Sequence, residues 1–197
     1  MKLAEIKEFH YITHINNLKS ICEKGILSYN LANKFDHTSI AMQEVQNRRE
    51  NKQVPGGRSL HEYVNLYFCA RNPMLYLRRN LHSEICILRV SPKIVYIKGA
   101  IVADRNASSD YVRFYPSPEG IENIDKDLVF AEYWTHPDNI FFECKHKSIK
   151  CAEILIPDRV NPNFIEGLYV SEAKIRNIIR KMGISLPIEV NPHLFFR

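Results

Sequence analysis

Apolar and polar residues alternate in EYVNLYFCA (62–70), and this alternation predicts a β-strand. FHYIT (9–13) is interpreted as a short strand. Other stretches have the apolar density and β-branched content of strands. These are SEICILRVS (83–91), KIVYIKG (93–99), GAIVAD (99–104) and KCAEILIP (150–157).

Other segments follow the helical period. NNLKSICEKG (16–25) carries an apolar stripe that follows asparagine and ends at Gly25, which predicts a capped helix. Further helices are predicted at 37–51, 119–134 and 172–183. We expect Ser171 to cap the last of these and Gly183 to end it.

The stretch RNPMLYLRR (71–79) predicts a short helix that begins after a turn. Asn72 is a suitable cap, and Pro73 fits the first turn, where its missing N–H costs nothing. The side chains expected in the core are Met74, Leu75 and Leu77. Two arginines suit the last turn. This local interpretation does not explain why Arg71 and Tyr76 flank the helix.

The mixture of strands and helices has no regular βαβ repeat, so we predict an α+β fold. We expect a split, antiparallel-rich sheet with flanking helices, formed by a single domain over residues 1–197. The polar stretch NRRENKQVPGG (47–57) is interpreted as a mobile loop inside that domain.

Composition adds modest constraints. The net charge of +5 permits an anionic partner without requiring one. The chain has no long apolar run, and glutamates stand where a signal peptide would be apolar, so we expect a cytoplasmic protein with no membrane contact. Five cysteines without a CxxC pair predict reduced thiols. We expect no metal, since CKH (144–146) with Cys151 lacks the usual ligand spacing of a zinc site.

Glu153 is the most informative polar residue, because it interrupts the apolar strand CAEILIP. Strand alternation places it on the same face as Cys151 and Leu155. Two interpretations remain open at this point: the carboxylate points to solvent, or it points into a functional cleft.

Three other polar stretches also allow two interpretations. His14 in THINN either has a structural role or belongs to a site. QNRRE (46–50) is most simply a solvated helix face. KHKSIK (145–150) is either solvated or, because it directly precedes the Glu153 strand, binds phosphates and attracts an anionic substrate.

Taken together, three motifs resemble the DarT family of bacterial toxins. The first is HYITHINNLKSICEKGIL, the second runs from SIAMQEVQNRRENKQVPGG through RSLHEYVNLYFCARNPMLY, and the third is CAEILIPDRV. The resemblance extends from about residue 9 to about residue 170. Within it, Tyr11 stands where the family has a histidine and His10 takes the preceding place, through either a swap of the two residues or a one-residue shift in pairing. In addition, VNLYF replaces V-P-F-Y-F, and DRNASSDYVRFY lacks a histidine that some members have.

The resemblance implies an ADP-ribosyltransferase fold in which two small sheets meet at a cleft that binds NAD as a substrate. It implies transfer of ADP-ribose to a base of single-stranded DNA, thymine in the best-known members and guanine in another branch, which would block replication. It also implies a toxin whose partner is a macrodomain antitoxin, DarG-like. Transfer to RNA or protein, and a non-enzymatic nucleotide-binding module, remain the alternatives.

The resemblance also assigns roles to individual residues. Glu153 takes the place of the family's catalytic glutamate, and Arg49 takes that of its essential arginine. The residues expected to contact NAD are Tyr11, Thr13, His14, Tyr67, Arg71, Met74 and Tyr76. The residues expected to contact nucleic acid are Arg48, Lys145, Lys147 and Lys150.

These assignments agree with the chemistry of the reaction. Cleavage of NAD passes through an oxocarbenium-like state, which one carboxylate stabilises, and nicotinamide leaves without protonation. A guanidinium stays charged, so we expect Arg49 to donate to a base carbonyl rather than to act as a base.

Overall fold

The computed structural model describes residues 1–197. Its strands are β1 (Phe9–His14), β2 (Ile26–Leu27), β3 (Tyr63–Tyr67), β4 (Ile85–Val90), β5 (Ile101–Ala103), β6 (Phe114–Pro116), β7 (Glu153–Pro157), β8 (Arg159–Val160), β9 (Ile165–Val170) and β10 (Ile188–Val190). Its α-helices are α1 (Leu18–Lys24), α2 (Tyr29–Ala32), α3 (Gln43–Glu50), α4 (Pro73–Leu77), α5 (Lys126–Phe130), α6 (Ile140–Ile149) and α7 (Ala173–Lys181). No helix is long and apolar enough to cross a bilayer.

Eight strands form one sheet in the order β10-β9-β4-β1-β3-β7-β5-β6, and β2 pairs with β8 separately. All neighbouring strands are antiparallel except β9 and β10. The α+β prediction is therefore confirmed.

The sheet is nearly divided between β1 and β3. These strands share one residue pair, His10↔Tyr67, whereas β1 and β4 pair from Phe9↔Val90 to His14↔Ile85. Phe9 and Phe68 pack edge to face with 5.0 Å between ring centroids, in the same region as that single pair. The two halves of the sheet are thus joined by a narrow apolar junction, which leaves the rest of each strand edge free to border a cavity.

The main core contains side chains from both halves of the sheet, including Phe9, Leu88 and Ile154, all fully buried. A smaller core packs α4 against the sheet. It includes Leu75 of α4, Ile87 of β4 and Phe195. Burying such side chains contributes roughly 1.5–3 kcal/mol each. The cores fix α4 and β7 in place, and these elements carry the residues predicted to be functional.

The structure corrects several predicted elements. KIVYIKG forms a 3₁₀ helix, Pro92–Tyr96, because Pro92 lacks an N–H and begins a turn that buries Ile94 and Val95. Of the helix predicted at 37–51, only the part that forms α3 (Gln43–Glu50) is helical in the structure. Helix α6 was not predicted, although Asn139 caps it by accepting from the Phe142 N–H.

Of three further details predicted for the helices, two are wrong and one is confirmed. The Ser171 hydroxyl donates to the carbonyl of His82 instead of capping α7. Asn72 does cap α4, since its Oδ1 accepts from the Leu75 N–H at 3.0 Å. Leu77 is exposed rather than in the core, because it faces the cavity described next.

Candidate active site

A cavity of about 670 Å³ opens where β1 and β3 separate. Its walls include Tyr11 and Thr13 of β1, Tyr67 of β3 and Met74 of α4. Helix α3 and the loop 106–111 border it as well. This volume is typical of a pocket for a cofactor or a substrate.

Glu153 and Arg49 form an ion pair beside this cavity. Glu153 begins β7, lies opposite Tyr67 on β3, and is 1% exposed. The Arg49 Nη1 lies 3.3 Å from Oε1 and 3.4 Å from Oε2 of Glu153, and the Ala107 N–H donates to Oε1 at 2.7 Å. The carboxylate is therefore held behind Arg49 and away from bulk water, which rules out the solvent-exposed interpretation.

The two members of this pair retain unused hydrogen-bonding capacity. Oε2 of Glu153 has only the long contact with Arg49. Nη2 of Arg49 is buried and has no acceptor within the protein. A buried donor without an acceptor is costly unless a ligand supplies one. Nη2 of Arg49 is therefore available to an acceptor that enters the cavity.

Three side chains near the ion pair, those of Tyr67, Tyr11 and Cys151, are neutral at physiological pH. Burial, followed by the nearby Glu153 carboxylate, raises the pKa of Tyr67 well above its usual value. Burial alone raises the pKa of Tyr11. Burial also raises the pKa of the Cys151 thiol to about 12. The phenols therefore act as neutral donors and packing surfaces, and Cys151 is not a nucleophile.

Asn17 holds one wall of the cavity together. Its Nδ2 donates to the Thr13 Oγ1 at 3.0 Å and to the Thr38 carbonyl at 2.9 Å, while its Oδ1 accepts from the Thr38 N–H. The sequence pattern predicted an asparagine cap for α1, but the Asn17 side chain does not cap this helix. It instead fastens the segment at Thr38, which borders the cavity, to β1.

Lys52 stabilises the opposite wall of the cavity, which the loop 106–111 forms. Its Nζ donates to the Ser109 carbonyl at 2.8 Å and to the Asp110 carboxylate at 3.3 Å. The loop 106–111 also supplies the Ala107 N–H that holds Glu153. Sequence reasoning missed this contact, because a main-chain donor in a small polar loop has no residue-type signal.

The structure places many of the predicted site residues on the cavity wall. These are Tyr11, Thr13, Arg48, Arg49, Tyr67, Met74 and Lys147. His10 points away from the cavity and contacts Glu8 at 3.1 Å. Strand alternation explains this, since residues 11 and 13 share one face and residue 10 lies on the other.

Three residues predicted to contact NAD lie outside the cavity wall. His14 accepts from the Asn16 N–H and contacts Glu84 at 3.4 Å. Arg71 donates to the His193 carbonyl, and Tyr76 packs against Trp134. Tyr76 lies two positions after Met74, so the helical period turns it onto another face of α4.

The basic run 145–150 also differs from the prediction. Lys150 is 1% exposed, and its Nζ donates to the Val129 carbonyl at 2.7 Å, so it does not reach a phosphate. The i, i+4 period places it beside His146 on the buried face of α6. Lys147 pairs with Glu143 at 2.6 Å, and Lys145 is exposed.

Comparison with known proteins identifies the family. The family model described as "ssDNA thymidine ADP-ribosyltransferase, DarT" matches residues 10–196. A DNA ADP-ribosyl transferase–glycohydrolase fusion protein of Thermosipho africanus is 34% identical, over 96% of this chain and 50% of its own length. The DNA ADP-ribosyl transferase of Thermus sp. strain 2.9 is 29% identical, over 95% of this chain and 92% of its own length.

Two solved structures have the same fold. Thermosipho africanus DarTG in complex with ADP-ribose superposes with a TM-score of 0.85 at 32% identity, over 96% of this chain and 51% of that one. Thermus sp. 2.9 DarT in complex with ADP-ribosylated single-stranded DNA superposes with a TM-score of 0.84 at 26% identity, over 96% of both chains. The chain therefore spans about half of the fusion protein and nearly all of the Thermus protein. It belongs to the DarT family of DNA ADP-ribosyltransferases.

Proposed function

We propose that this protein, as one domain over residues 1–197, transfers ADP-ribose from NAD to a base of single-stranded DNA, with thymine as the favoured base. The observation that carries the proposal is the buried Arg49–Glu153 pair beside the cavity at the β1–β3 junction. The family match and the DNA complex of the Thermus relative support the same acceptor.

Glu153 serves the NAD half of the reaction. The bond between C1′ of the ribose and the nicotinamide nitrogen breaks, and its electron pair leaves with nicotinamide, which becomes neutral. The ribose becomes cationic, and a fixed carboxylate stabilises that charge. Oε1 is held by the Ala107 N–H, so Oε2 is the atom left to accept from the ribose 2′-hydroxyl.

Arg49 serves the acceptor half. A ring nitrogen of the base forms a bond to C1′ and releases its proton to water. The unpartnered Nη2 of Arg49 donates to the adjacent base carbonyl and stabilises the negative charge as the proton leaves. Bases of single-stranded DNA are already accessible, so no duplex has to be opened.

The biological role we propose is that of a toxin. ADP-ribose on the pairing edge of a base prevents that base from pairing, which blocks replication. A macrodomain antitoxin that removes the group is the expected partner. The fusion of transferase and glycohydrolase in the Thermosipho relative supports this pairing.

The test is a transfer assay read by mass spectrometry. The protein is incubated with NAD and four oligodeoxynucleotides, each an adenine–cytosine strand with one central thymine, guanine, cytosine or adenine. We expect a gain of one ADP-ribose on the thymine strand. A gain only on the guanine strand would change the base assignment, and a gain only on matched RNA or on protein would reject DNA as the acceptor.

A further inference from the structure

Three aromatic rings form a cluster beside the cavity, which we call the aromatic platform: Tyr76 of α4, Trp134 and Phe196. The centroid of the Tyr76 ring lies 5.1 Å from that of Phe196 and 5.9 Å from that of Trp134, and all three pairs meet edge to face. Tyr76 is 41% exposed, whereas Trp134 is 8% exposed. The platform therefore has a buried base and an accessible outer ring.

Two arginines stack on the platform. The guanidinium carbon of Arg79 lies 4.2 Å from the Tyr76 ring centroid, and that of Arg71 lies 4.1 Å from the Phe196 centroid. Neither guanidinium lies within ion-pair distance of a carboxylate, in contrast to Arg58. The positive charge at the platform is therefore not neutralised within the protein.

Helix α4 connects the platform to the cavity. Met74 and Leu77 on one face of the helix line the cavity, while Tyr76 on the adjacent face belongs to the platform. Arg78, at the end of α4, lines the cavity and donates to the Ile40 carbonyl at 2.6 Å. A chain that leaves the cavity over α4 thus meets Tyr76 and Arg79 next.

We propose that the aromatic platform binds the nucleotides that flank the acceptor base of single-stranded DNA, an inference that rests on the function proposed above. Bases stack on aromatic rings and on guanidinium planes, so a base continues the Tyr76–Arg79 stack. The guanidinium of Arg79, which is exposed and pairs with no carboxylate, neutralises an adjoining phosphate. A protein partner fits less well, because arginines cover the ring faces that such a partner would bury.

Trp134 is the only tryptophan in the chain, so its fluorescence reports on the platform. Without NAD, the protein is titrated with a trinucleotide and a nonanucleotide that share one central thymine. We expect the nonanucleotide to bind more tightly and to quench Trp134, and the trinucleotide to leave Trp134 unchanged.

Variants separate stacking from charge. Tyr76→Ala should weaken binding of the nonanucleotide at least about fivefold without changing its salt dependence, and Tyr76→Phe should restore it. Arg79→Gln should weaken binding and flatten the salt slope by about 0.7, the value for one phosphate contact on a single strand. Matched controls are Tyr96→Ala, at an exposed tyrosine of the 92–96 turn, and Arg180→Gln, on α7, which packs against β9 and β10.

Each result is decisive. Equal affinity of wild-type protein, Tyr76→Ala and Arg79→Gln for the nonanucleotide, with no quenching of Trp134, overturns the platform and leaves the surface to a protein partner. That result would not affect the proposed function if the wild-type protein still transfers ADP-ribose to the trinucleotide. Absence of transfer to any DNA would instead reject the proposed function itself.

Discussion

Two carboxylates, Glu8 and Glu153, lie in opposite halves of the sheet and are held in different ways. Glu8 accepts from Arg89 at 2.7 Å and from Tyr169 at 2.8 Å and contacts His10 at 3.1 Å, so side chains satisfy both of its oxygens. Glu153 is more deeply buried but has one short hydrogen bond, from a main-chain N–H.

The comparison separates a structural carboxylate from the one proposed to be catalytic. Glu8 precedes β1, and its partners belong to β1, β4 and β9, so it ties three strands together away from the cavity. Oε2 of Glu153 has only a long contact with Arg49 beside the cavity, and Nη2 of Arg49 has no acceptor within the protein. Incomplete satisfaction of a buried charge is therefore the feature that marks the site, more than burial itself.

The largest effect is expected from Glu153→Gln. The amide keeps an oxygen for the Ala107 N–H but removes the charge that, in the proposed mechanism, stabilises the ribose cation. We expect transfer to DNA to fall by about 10²-fold or more, while the fold is retained. The measurements are the transfer rate by mass spectrometry and the circular dichroism spectrum. Wild-type turnover in a folded Glu153→Gln protein would contradict the assignment.

Arg49→Ala should affect the two halves of the reaction differently. Transfer to DNA should fall by about 10²-fold, because nothing then stabilises the base anion. NAD affinity should stay within about threefold of wild type and hydrolysis of NAD by water should persist, because the Ala107 N–H still holds Oε1 of Glu153 when its ion pair with Arg49 is lost.

Calorimetry of NAD binding, with nicotinamide release measured with and without DNA, tests Arg49. Arg49→Lys is the matched variant and should restore little, since an ammonium lacks the planar fork of a guanidinium. A large loss of NAD affinity in Arg49→Ala would assign Arg49 to NAD and reject a role limited to the acceptor.

A smaller effect is expected from Lys52→Met, which releases the loop that holds Glu153 through Ala107. We expect kcat to fall by about 3- to 10-fold with little change in the KM for NAD, because a misplaced carboxylate reduces orientation without removing it. Lys52→Arg should restore most of the rate. If Lys52→Met lowers thermal stability but leaves kcat unchanged, Lys52 has only a structural role.

The elements with an alternating or densely apolar sequence, or with a capping residue, were predictable from sequence. Strand β3 forms from an alternating segment, β4 and β7 form from densely apolar segments, and Asn72-Pro73 marks the start of α4. Local patterns determine these features, so the chain carries their signal in adjacent residues. The prominence of Glu153 on an apolar strand had the same local origin.

The remaining features depend on contacts between distant residues. Lys150 ends a basic run yet is buried. Helix α6 determines the direction of its side chain, and the Val129 carbonyl accepts a hydrogen bond from its ammonium group. The Asn17–Thr38 and Lys52–Ser109 contacts join segments 21 and 57 residues apart. Neither residue type nor spacing predicts such pairs, and the motif resemblance does not show that Arg71 and Tyr76 lie outside the cavity wall.

The smallest effect is expected at Glu8, and it should concern stability rather than transfer. Burial opposes ionisation of Glu8, but hydrogen bonds from His10, Arg89 and Tyr169 outweigh it and lower the pKa of Glu8 from 4.5 to about 2. A carboxyl group whose pKa is lower in the folded state stabilises the fold above its unfolded pKa. That contribution is present above about pH 4.5 and is lost as the pH falls towards 2.

Glu8→Gln should therefore lower the free energy of unfolding at pH 7 by about 1–2 kcal/mol, less than the full pKa difference implies, because solvent partly screens the network. The difference between wild type and variant should shrink steadily between pH 5 and pH 2.5, and the transfer rate at pH 7 should stay at the wild-type value. Urea unfolding followed by circular dichroism at several pH values measures this, with Glu166→Gln, at an exposed glutamate of β9, as the control. A difference that stays constant down to pH 2.5 would mean that packing, and not the charge of Glu8, stabilises this half of the sheet.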